Sequence, residues 1–131
     1  MSTSRNGDPS DFDRWLSAEF AARGTFTALV ILVAIGERKV TPLSSTYLNV
    51  IGDEVAWSDL IVLFADSGVE WNGASFFPVT THGGGPLDNS AARLQLRQLE
   101  ARLDDDRLVL NEGHFFDKCG RRMVIEEIAV Q

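Results

Sequence analysis

Residues Phe26 to Ile35 read FTALVILVAI, ten positions in which Thr27 carries the one polar side chain. A strand with one face in water alternates apolar and polar residues, so a run without alternation belongs to an element covered on both faces. A helix is the other solution for so apolar a segment. As a membrane span it is too short, since about 20 residues are needed to cross a bilayer as a helix. The stretch from Thr25 to Ile35 is therefore predicted to be a central strand.

The rest of the chain supplies elements to pack on it. Ser10 can cap a helix whose Phe12, Trp15, Leu16 and Phe20 fall on one side, with Gly24 as the stop. Tyr47 to Ile51 alternates like a strand although Thr41-Pro42 could open a helix, and the strand is preferred for residues 41–51. Val55, Leu60, Leu63 and Phe64 predict a helix between Asp53 and Ser67. Val69 to Val79 reads as a strand, with Asn72-Gly73 as a candidate tight turn inside it. Asp88, Asn89 or Ser90 can cap a helix running to about Leu103, its core stripe formed by Ala92, Leu96, Leu99 and Leu103. Arg107 to Leu110, His114 to Asp117 and Arg122 to Val130 read as short strands of a closing meander. These elements predict an α+β fold, with two or three helices packed on one face of a mixed or mostly antiparallel sheet.

At 131 residues, 44% apolar and 24% charged, the chain fits one domain, expected over residues 10–131 after a disordered tail at residues 1–9. One cysteine, Cys119, excludes an internal disulfide and points to a reducing, cytoplasmic setting. A formal charge of -7 from 19 acidic and 12 basic residues disfavours nucleic acid, whose phosphates need a Lys/Arg surface. No membrane association is expected. The acidity fits a soluble protein with protein partners.

Several groups invite a chemical reading. His82-Gly83-Gly84-Gly85 lies between a predicted strand and a predicted helix, where free backbone N–H groups and a helix start can hold an anion. It lacks the Gly-Lys-Ser/Thr end of a phosphate loop and runs instead into Pro86 and Asp88. The chain also has no G-x-S-x-G elbow to pair with an oxyanion loop. His114, Asp117 and Cys119 are donor types for zinc, but they lack paired ligand spacing, and no metal or cofactor is expected. Asp104-Asp105-Asp106 reads as a solvated helix end, and Glu126-Glu127 as one edge acid and one solvent acid. Trp71, Phe76 and Phe77 form an aromatic group that suits the core, with Trp71 and Phe77 on one strand face and Phe76 on the other.

The third helix holds the clearest oddity. With its leucine stripe inward, Arg93, Leu94, Arg97 and Ala101 form a cationic, partly apolar outer face on an acidic protein, a composition that interfaces favour. The leading expectation is a non-enzymatic protein-interaction or assembly domain, a homodimer or small accessory subunit, using that face. The alternative is a small-molecule-binding domain or small enzyme. Its pocket would be bordered by the loop from His82 to Gly85, with Trp71, His114 and Asp117 as contacts.

Overall fold

A computed structural model describes residues 10–37, 39–52 and 55–124. Residues 1–9, where the tail is expected, lie outside the described residues, as do Asp53, Glu126 and Glu127. The elements run α1 (Asp11–Arg23), β1 (Phe26–Ile35), β2 (Val40–Val50), α2 (Trp57–Ala65), β3 (Gly73–Val79), α3 (Asn89–Asp105), a 3-10 helix (Arg107–Glu112) and β4 (His114–Asp117).

The four strands form one antiparallel sheet in the order β2-β1-β3-β4, an α+β architecture. β1 sits inside the sheet, as its unbroken apolar run requires. Its side chains alternate between two cores. Ala28, Val30 and Leu32 pack with Phe12, Trp15 and Leu16 of α1 and with Trp57, Leu60 and Phe64 of α2. Leu29, Ile31 and Val33 pack with Leu96, Leu99 and Leu103 of α3 and with Val109 and Leu110. The helices thus divide between the two faces of the sheet, where one covered face was expected. A central strand that is apolar on both sides needs both layers to exclude water.

Local chemistry sets the helix ends. Ser10 and Asp13 form a reciprocal capping box, with Ser10 Oγ accepting from Asp13 N and Asp13 Oδ2 accepting from Ser10 N, both at 3.1 Å. Asp88 caps α3 by accepting from Ala91 N at 2.8 Å. The start of α3 is also tied to the sheet. Thr27, fully buried, donates to Asn49 Oδ1 at 2.8 Å and accepts from Leu87 N at 2.9 Å.

Three local expectations are corrected. Arg107 to Leu110 belongs to the 3-10 helix rather than a strand. Asp106 accepts from Leu108 N at 3.0 Å, and Leu110 O takes the Ser75 hydroxyl at 2.8 Å. Asn72-Gly73 does not reverse the chain: Asn72 donates its N–H to Val33 O at 2.9 Å, and β3 begins at Gly73. Of the expected meander, the described residues keep β4 and one tight hairpin, in which Arg122 bridges back to Phe116 and Met123 N donates to Phe115 O at 2.9 Å. The end of the predicted last strand, from residue 125, lies outside the described residues. No helix among the described residues is long and apolar enough to cross a membrane.

Candidate functional site

The face of α3 anticipated from its periodicity is exposed. Arg93, Leu94, Arg97 and Ala101 all lie in solvent, and Leu94 keeps 51% of its surface exposed. The opposite stripe of Ala92, Leu96, Leu99 and Leu103 is buried. Neither Arg93 nor Arg97 has a carboxylate within 4.0 Å among the described residues.

The flank of α3 next to this face runs above β2. Tyr47 Oη donates to Asn89 Oδ1 at 2.7 Å, the Ser45 hydroxyl donates to Glu100, and Arg107 Nε donates to Val40 O at 3.0 Å. The two ties from α3, with Arg107 just past its end, show that α3 runs opposite in direction to β2. Glu100 and Asp104 line a groove along the strand with Pro42, Leu43, Ser44 and Ser45. β2 is the outer strand of the sheet, and none of its eleven residues is charged. Its pairing with β1 is interrupted once, where Leu32 faces Ser44 and Val33 faces Pro42, so that Leu43 bulges. From Ser44 to Val50 the register is regular.

The loop proposed to border a ligand pocket is not brought to Asp117, which shares β4 with His114 and lies at the Trp71 end of the sheet. The loop from His82 to Gly85 follows β3, whereas Asp117 pairs with Gly73 at the other end of that strand. Seven strand residues at about 3.3 Å each separate the two ends by roughly 20 Å. The loop turns inward on itself, since Thr81 N donates to Gly85 O at 3.1 Å and Gly84 N to Thr81 O at 3.0 Å. Those N–H groups are spent on loop carbonyls rather than offered to an anion. Gly84 and Gly85, with φ of 89° and 92°, serve this turn.

Asp117 has a structural task, accepting from Cys119 N at 2.8 Å and Arg121 N at 3.1 Å and pairing with Arg121 Nε at 3.0 Å. Trp71 is buried on the side of Phe76, while Phe77 joins the other core. This reverses the expected pairing of Trp71 with Phe77. Trp71 precedes the strand, so the alternation expected of a strand does not extend to it. Lys118 Nζ lies 5.4 Å from the Trp71 ring, a cation-π contact.

His114 is half-buried against Trp15, and burial is the main cause lowering its pKa below the ordinary 6.5. Arg122 and Arg23 push in the same direction, while Glu19 opposes them. Arg122 Nη1 lies 3.2 Å from His114 Nδ1. A guanidinium only donates, so Nδ1 is the unprotonated nitrogen. Trp15 Nε1 is buried without a hydrogen-bond partner among the described residues. Cys119 is exposed. Among the described residues, no group of three or more His, Cys, Asp or Glu side chains could hold a metal ion.

Missing from the sequence reading was the bare β2 edge beside the α3 face. The lack of charge in residues 40–50 was its available signal. Comparison of the chain with protein-family models, with curated proteins and with solved structures finds no match in any of the three.

Proposed function

We propose that this domain is a non-enzymatic protein-interaction or assembly module that docks through the α3 face of Arg93, Leu94, Arg97 and Ala101, acting as a homodimer or small accessory subunit. The observation that carries the reading is Leu94, 51% exposed between two arginines without carboxylate partners among the described residues. Covering such a side chain recovers about 1 kcal/mol of hydrophobic free energy. Arginine adds a long apolar stem and a planar donor fork, which is why it is enriched where proteins meet. The proposed setting is the reducing cytoplasm, where an exposed lone thiol such as Cys119 stays free.

The test is Leu94→Asp, read by native mass spectrometry of protein drawn gently from its own cells and by circular dichroism of the purified chain. Loss of the associated mass with an unchanged spectrum is expected. Association that survives this change would overturn the reading.

A further inference from the structure

We infer that the occupant of this face is a second copy of the chain, joined edge to edge through β2 so that the two sheets continue as one. This deepens the interaction reading above and rests on it: Arg93 and Arg97 face the seam, and Leu94, three residues from Arg97 on the helix, borders it. The first ground is the edge itself. Outer strands usually carry charge, proline or a bulge to prevent pairing. β2 has Pro42 and the bulge at Leu43 near its start, but from Ser44 to Val50 it carries no such device.

The second ground is charge. Arg93, Arg97, Glu100 and Asp104 follow one another at offsets of four, three and four, so they form a single stripe on the flank of α3 above β2. That stripe is basic in its first half and acidic in its second. A two-fold axis turns such a stripe end for end, because a symmetric interface places each surface against the same surface reversed. With the axis at Thr46, Ser44 to Leu48 of the two copies pair with one another clear of Pro42 and the Leu43 bulge, and the Arg93 and Arg97 end of each stripe is turned toward the Glu100 and Asp104 end of the other. A uniformly acidic flank would instead have favoured a basic partner.

The spacing suits side chains of this length. α3 packs on β1, with a groove to β2 on one side and a groove to β3 on the other. The helix therefore stands about one to one and a half strand spacings from the seam, and the two helices about 10–14 Å apart. Arginine and a carboxylate span that gap between helix surfaces. On the opposite face of the sheet, Leu63 of α2, 53% exposed, lines a groove with Leu48 beside the same edge and would be covered by the same union.

Sedimentation equilibrium on the full chain tests this with two charge-swapped proteins, R93E/R97E and E100K/D104K. Each opposes like charges across the axis, and each is expected to weaken dimerisation by about tenfold or more while circular dichroism stays unchanged. An equimolar mixture of the two is expected to restore dimers, which a merely misfolded variant cannot do. Dimerisation of both variants at wild-type strength, or a mixture of well-folded variants that stays monomeric, overturns the edge-to-edge arrangement. If Leu94→Asp still abolishes association in either case, the interaction reading stands without it. A monomeric wild-type chain that loses no partner on Leu94→Asp removes both.

Discussion

The imidazole of His114 lies nearly flat on the indole of Trp15, with ring centroids 4.7 Å apart and planes inclined by 28°. The stack places a titratable ring against an aromatic core and beside the Arg122 guanidinium, both of which favour the neutral form. The folded protein therefore binds a proton at His114 less readily than the unfolded chain does.

Below pH 6.5 the unfolded state takes up this proton first, so His114 makes stability fall as the pH is lowered and rise again toward neutrality. His114→Phe keeps the stack and removes the titration. Its unfolding free energy, followed by urea titration at several pH values from 7 downward, is expected to decline less steeply than that of the wild type. Parallel pH profiles would show that the stack does not perturb this histidine.

Thr27→Val preserves shape but deletes the oxygen that accepts from Leu87 N and donates to Asn49. A buried N–H left without an acceptor costs about 1–3 kcal/mol. Denaturant unfolding is expected to register that loss, and hydrogen exchange to show faster opening at Leu87 than at β1 amides. Unchanged stability would mean that Leu87 finds another acceptor.

Gly120 and Gly84 both have positive φ, at 78° and 89°, but their surroundings differ. A Cβ on Gly120 would stand 2.9 Å from Ser10 Oγ and 3.0 Å from Trp57 Cδ1, whereas one on Gly84 meets nothing within 4 Å. Alanine at Gly84 is expected to cost about 1–2 kcal/mol for backbone conformation alone. Gly120→Ala adds crowding at the α1 cap and is expected to be the more destabilising in thermal unfolding. Equal melting temperatures would contradict this.

The side chain of Asn72 imitates a strand residue, with Oδ1 accepting from Ile35 N at 2.7 Å and Nδ2 donating to Ile35 O at 3.2 Å. Asn72→Ala removes both bonds, at a cost of about 1–2 kcal/mol. The Ile35 amide is expected to lose exchange protection while Val30 keeps its own. Retained protection at Ile35 would mean that the side-chain bonds do not hold this end of β1.

What was legible in the sequence was local. Ser10, Gly24 and the run from Asp88 to Ser90 announce helix ends because capping needs only neighbouring residues, and the leucine stripe of α3 follows from its period. Residues 107–112 were opaque: a buried Val109-Leu110 pair between turn signals suits a short strand equally well, and Asp106 with Ser75 decides the matter through contacts. Asn72-Gly73 misled because its amide is used across the sheet, on Ile35. The α3 face was readable, but its position beside an uncharged outer strand depends on strand order, which periodicity does not carry.

The two ends of the sheet are unlike. Beyond β4 the returning chain already occupies the backbone, through Met123 on Phe115 and Arg121 on Asp117, while beyond β2 no described segment does so. The β4 backbone is therefore already taken by the returning chain, while the β2 backbone is open to an added strand among the described residues. Two-fold pairing through β2 would use that edge in both copies at once, so a dimer built this way presents no further copy of it to a third chain.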